Sequence, residues 1–211
     1  VILAVGMTLV TASSGGQDIS VGAVLAVAGA VCCQILSGGE VSTNTLAAPI
    51  ILAALVGILV SGVCGAFNGL LVAKLHIQPM VATLILFTAG RGIAQLVTKG
   101  QITYIRVDSY KTIGGYIGKC PVPTPVFVAI LTVILVSLIL KKTALLKFIT
   151  YVICGLLAGL AGIVASSRIY SADANNIGLN MEMDAILAVA LGGNNLGGGK
   201  FNLMGSIIGA Y

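Results

Sequence analysis

From Leu46 to Ala73 the chain carries no charged side chain, and five other stretches are nearly as apolar. A helix that crosses a bilayer needs about 20 mainly apolar residues. The runs cover residues 1–13 (half a span), 19–36, 46–75 (long enough for a tilted or a broken helix), 80–97, 122–140 and 148–166. Residues 185–191 are apolar but short, and 201–211 begin a further run. Most runs are apolar all round, as suits helices that face lipid and one another. The strands of a membrane barrel would alternate over segments of about ten residues, and these runs do not.

Composition closes the other routes. Only 8% of the residues are charged, against roughly 25% in a soluble domain. The 11 basic and 6 acidic side chains cannot clothe a soluble globule, and a mean hydropathy of +1.11 excludes disorder. The 28 glycines suit helices that approach closely in lipid. A net charge of +5 does not mark a nucleic-acid binder here, because the basic residues are scattered and not interleaved with stacking aromatics. The five cysteines show no metal-ligand spacing, so no metal is expected. Four of them lie in apolar runs, where a thiol is a small hydrophobe, and Cys120 sits in a polar loop.

The loops give an orientation. The turn with Lys141, Lys142 and Lys147 holds no acid, nor does the turn with Lys74 and His76. By the positive-inside rule both are assigned to the cytoplasmic side. Glu40, residues 98–121 and the acidic stretch 168–184 then fall on the opposite side, together with every acid except Asp18.

Two glycine-rich interruptions share one form, Gly-Gly-x-x-aliphatic-x-x-Gly. The first is Gly15-Gly16-Gln17-Asp18-Ile19-Ser20-Val21-Gly22, and the second is Gly192-Gly193-Asn194-Asn195-Leu196-Gly197-Gly198-Gly199. Paired breaks in two halves of a membrane chain point to a transporter with internal repeats, although two ordinary glycine turns would read the same. Gly197-Gly198-Gly199-Lys200 is no phosphate loop, since Asn194 stands at the first glycine position and Phe201 follows the lysine.

Polar residues inside the runs are the candidate pathway groups. Arg91 either lines a pathway, pairs with an acid or snorkels to an interface. Asn68 and Thr83 serve interhelical hydrogen bonds or touch substrate. Asp18 either contacts substrate or caps the helix that starts near Ile19. Glu182 and Asp184 read as surface or helix-start acids. No nucleophile–base pair or catalytic carboxylate pair is visible, so no catalytic site is expected.

The segments Gly6-Met7-Thr8-Leu9-Val10 and Gly15 through Ala23 closely resemble the opening signature of permease subunits of bacterial ABC importers for ribose, xylose and galactosides, usually Gly-Gly-Ile-Asp-Leu-Ser-Val-Gly. Asn68-Gly69-Leu70-Leu71-Val72-Ala73-Lys74, Ile77 through Leu84, and Ala89-Gly90-Arg91-Gly92 are similar to that family's next segments. Ser166-Ser167-Arg168 through Ser171-Ala172, Gly178, Glu182 through Ile186, and Gly192-Gly193 resemble its late signature. Gln17 departs from the aliphatic residue usual there.

The resemblance implies an all-α polytopic transmembrane bundle, one permease domain over 1–211, with broken or re-entrant helices near Gly15-Gly16 and Gly192-Gly193. It implies a multi-pass permease of the bacterial inner membrane that imports a pentose or hexose by alternating access. The implied partners are a second permease copy or homologue, cytoplasmic ATPase subunits that bind ATP and Mg, and an extracytoplasmic sugar-binding protein. Gln17, Asp18, Asn68, Thr83, Arg91, Gly192 and Gly193 become the expected substrate pathway. The chain is expected to be incomplete at both ends. It also lacks some 25–30 residues of a cytoplasmic loop between Leu145 and Leu146, a long loop for a compact protein. Related permeases for nucleosides, branched-chain amino acids or a signalling sugar derivative remain open, as do an ion channel and a membrane scaffold without transport.

Overall fold

The computed structural model describes residues 1–116, 122–142, 147–199 and 201–211, with the backbone alone at 139–142. Lys119, Cys120, the Leu145–Leu146 junction and Lys200 lie outside the described residues. The helices are α1 (Ile2–Ser14), α2 (Val21–Ser37), α3 (Ile50–Ala73), α4 (Pro79–Val97), α5 (Asp108–Gly114), α6 (Thr124–Lys142), α7 (Lys147–Ile169), α8 (Met181–Leu191) and α9 (Leu203–Gly209). The architecture is an all-α polytopic membrane bundle. α3, α4 and α7 are each long and apolar enough to cross a bilayer. The run 46–75, which allowed a broken helix, forms one unbroken helix, α3, of 24 residues and ~36 Å at 1.5 Å per residue. It starts after Pro49, whose missing N–H is no loss at a helix entry.

Close packing follows from small residues. α3 crosses α7 antiparallel, with Gly69 beside Phe148 and Gly65 beside Tyr151 and Gly155. A Cβ on Gly65 would collide with the Tyr151 carbonyl, so the two backbones touch directly, as small-residue membrane interfaces allow. α1 also runs antiparallel to α7. Ser13 and Ser14 bond Thr150 and Tyr151, while Gly6 packs on Cys154. α2 runs the other way along α7, with Leu25 at Gly162 and Gly29 at Ser166. The chain therefore reverses at 15–20, where the first glycine pair stands.

Three short strands close one face: β1 (Ser42–Thr43), β2 (Thr103–Ile105) and β3 (Ser171–Ala172). β2 pairs in parallel with β1 (Ser42 with Tyr104) and antiparallel with β3 (Tyr104 with Ser171). The three loops expected on one side of the membrane thus meet in one sheet. The stretch 98–121, read as a polar loop, also contains α5. Its Tyr110 is fully buried, and the hydroxyl lies 2.6 Å from Ser166 Oγ and 3.6 Å from Cys33 Sγ.

Candidate functional site

α1 ends because Gly15 takes a left-handed conformation (φ 65°) and returns its N–H to Thr11 O. Gly15 has little room to be anything else. Gly16 is buried against the Pro79 ring, where a Cβ would collide. Asp18 follows, 2% exposed. Its Oδ1 accepts hydrogen bonds from Ser20 N (2.9 Å) and Ser20 Oγ (2.6 Å), an Asx turn that sets the entry of α2. Asn68 Nδ2 on α3 donates to Ser20 Oγ at 2.8 Å. Thr83 Oγ1 on α4 accepts from Ile19 N at 3.2 Å and donates to Pro79 O at 3.0 Å, with Gln17 O at 3.5 Å. Met7 Sδ receives Asp18 N at 3.3 Å. Three helices thereby satisfy a stretch of non-helical backbone, the condition for such backbone at membrane depth.

Asp18, Asn68, Thr83 and the Gln17 carbonyl form this one cluster. Asp18 does not cap the helix itself; its Asx turn holds Ser20, the residue at the N-cap of α2. Asn68 and Thr83 reach from α3 and α4 to the break itself, at Ser20 and Ile19. Asn68 Oδ1 and Thr11 Oγ1 are buried and have no hydrogen-bond partner among the described residues.

Gly192 and Gly193 belong to a second break, between α8 and α9. Gly192 packs against Gly205 and Ser206, whereas no atom of the described residues stands where a Gly193 Cβ would go. Asn194, 7% exposed, knits this turn. Its Nδ2 donates to Ser206 Oγ (2.8 Å) and Asn202 O (3.1 Å), and its Oδ1 accepts from Asn202 N (2.7 Å). Asn202 Nδ2 donates to Gly192 O at 3.1 Å, and Thr8 Oγ1 ties α1 to Ser206 Oγ at 2.7 Å. The two breaks touch, since Gly198 packs on Gly15 and Gly199 N donates to Ala12 O at 3.4 Å.

Arg91 stands apart, roughly two turns and ~12 Å along α4 from Thr83. Its Nη1 donates to Ile177 O (2.6 Å) and Ala174 O (3.2 Å) in the turn segment before α8. It neither snorkels free nor joins the Asp18 cluster.

The model of the family described as "Branched-chain amino acid transport system / permease component" matches residues 1–145 and 141–211, end to end. The chain belongs to this permease family. It is 45% identical to the galactofuranose transporter permease of Escherichia coli K12, over 99% of this chain and 65% of that protein. It is 36% identical to a fructose import permease of Bifidobacterium longum, over 99% of this chain and 64% of that one. With the ribose import permease of Escherichia coli K12 the figures are 35%, 99% and 70%. The chain thus spans about two thirds of the length of these relatives. No solved structure matches it.

Of the two sequence readings of Glu182, helix-start acid holds and surface acid does not. It lies on the first turn of α8 but is only 3% exposed, packed against Gly22 of α2, while Asp184 two residues on is exposed. The permease also uses Thr8, Ser20, Asn194, Asn202 and Ser206, none of which stood out as a candidate. Ser20 and Asn194 lie within the two glycine motifs and were legible as turn formers. Thr8 and Ser206 carry no such signal, because a hydroxyl in an apolar helix usually bonds its own preceding turn.

Proposed function

We propose that the chain is the membrane-spanning subunit of an ATP-driven importer that moves a monosaccharide inward by alternating access. The carrying observation is that its relatives, alignable over 99% of the chain, are import or transport permeases named for galactofuranose, fructose and ribose. The chemistry of the two breaks supports this reading. A sugar is neutral and rich in hydroxyls, so its path needs donors and acceptors more than fixed charge. Asn68 Oδ1 and Thr11 Oγ1 are buried acceptors with spare capacity, and the open backbone at Gly193 offers peptide groups. Gln17, Asp18, Thr83 and Gly192 hold the shape of that path, and Arg91 holds the segment beside it. The permease performs no covalent chemistry in this reading. ATP and Mg act on separate ATPase subunits, a binding protein delivers the sugar at the sheet face, and a second permease copy completes the conduit.

A further part of the reading concerns the junction at 145–146. The family match falls in two blocks that meet at 141–145, and the alignment to the galactofuranose permease runs over 233 residues although the chain has 211. Both features support a cytoplasmic segment in relatives that this chain does not carry. The decisive experiment is uptake of labelled galactofuranose, fructose and ribose into vesicles holding the full transporter. ATP-dependent accumulation of one sugar is expected. Accumulation without ATP overturns the mechanism, and uptake of a branched-chain amino acid instead overturns the cargo.

A further inference from the structure

The proposed path uses mainly neutral groups, yet the bundle also holds a half-buried Arg91 and a buried Glu182 that it leaves partly idle. Residues 173–180 run beside α2 as turns rather than helix, with Gly178 (φ 70°) and Asn180 (φ 65°) both left-handed. Gly178 rests against the Gly22 carbonyl, with the Leu25 and Glu182 side chains alongside. From the other flank α4 holds the segment with two residues one turn apart. Arg91 Nη1 binds the carbonyls of Ile177 and Ala174, and Gln95 Nε2 donates to Asn175 Oδ1 at 2.6 Å. Asp173 orders the segment from within, its Oδ1 accepting Asn175 N at 3.0 Å and its Oδ2 accepting Asn176 Nδ2 at 2.6 Å.

The rest of the guanidinium is unused. Arg91 Nε and Nη2 are buried without a partner among the described residues, and so is Glu182 Oε2. Glu182 Oε2 and the Gly178 carbonyl meet at the same point on Gly22, one residue along the segment from the Ile177 carbonyl that Arg91 holds. A lone buried charge is costly, and two opposite ones within reach of each other offset that cost. Idle donors thus lie on the α4 flank of a turn segment and an idle acceptor on its α2 flank, where the segment meets its neighbour helix glycine to glycine.

We propose that Arg91 and Glu182 form a charge couple that positions segment 173–180 during transport. In the state seen here Arg91 grips the segment's carbonyls. When the segment shifts along α2, the idle nitrogens of Arg91 engage Glu182. This rests on the two-state permease reading above.

The test is a cycle of R91Q, E182Q and the double variant in the full transporter, with uptake measured per assembled complex. Each single change lowers Vmax by about tenfold or more and leaves KM within about twofold, because a buried charge loses its counterpart while the sugar contacts persist. In the R91Q background, E182Q changes Vmax by less than about twofold. R91K, which keeps charge and donors, retains at least about a third of the rate. Equal losses from E182Q in both backgrounds, or a fully active E182Q, overturn the couple. Should R91Q fail to assemble, restored assembly on adding E182Q supports it, and no restoration overturns it. If the parent transporter takes up no sugar, the permease reading fails, and the couple is judged by the same cycle on the thermal midpoint of the complex.

Discussion

The two glycine breaks have the same sequence form and opposite construction. The break at 15–20 is filled from outside, by Asn68 of α3, Thr83 of α4, Met7 of α1 and the Pro79 ring. The second break is largely filled from within, by Asn194 and Asn202 holding each other, while Thr8 reaches Ser206 and Ala12 accepts from Gly199 N from the side of α1. The first therefore couples three helices and moves when any of them moves. The second leans on a single helix, α1, and otherwise holds its own turn through its two asparagines. A shared motif fixes where a helix stops, whereas the neighbours decide what the stop is used for.

The comparison breaks most easily at the glycines themselves. Gly16→Val drives a side chain into Pro79 and is expected to cost about 3 kcal/mol, the upper range for overpacking. Gly193→Ala meets only its left-handed backbone (φ 73°) and should cost about 1 kcal/mol. Thermal midpoints of the purified transporter read both, and equal losses would erase the distinction. Next in size is Asp18→Ala. It strips the acceptor from Ser20 N and Oγ, an expected loss of about 2 kcal/mol, while Asp18→Asn keeps an oxygen there and should lose less than half of that. A similar loss for both variants would mean that the charge, rather than the turn, matters. Ser206→Ala unties Thr8 and Asn194 together and should cost about 1 kcal/mol, with sugar KM unchanged. The smallest effect sharpens the functional side. Thr83→Val keeps the shape and leaves Ile19 N–H unpaired, costing about 1 kcal/mol or less. An accompanying rise in sugar KM would make Thr83 a pathway contact, and an unchanged KM would leave it a strut.

The helices were legible because a lipid-crossing segment must be apolar along its whole length, and the breaks because paired glycines have no other good use in such a run. The partners of the polar residues were not legible. Glu182 and Asp184 look alike in sequence, but they stand roughly 200° apart around α8, so only one can face α2. Which one does so depends on how Gly22 and Gly178 let α8 settle. Arg91 was visible as a charge within an apolar run, but its partners are backbone carbonyls, and every residue has one. Tyr110 lay hidden in a stretch whose polarity describes its surface and not its single inward-facing ring.

The three-stranded sheet has a mechanical consequence. It stitches the connections that follow α2, α4 and α7 at one rim of the bundle, and peptide-to-peptide pairing resists shear there. Relative displacement of these helices must then grow with distance from that rim, as the ribs of a fan spread about their rivet. The two glycine-rich turns abut one another away from the rivet, where the ribs part widest.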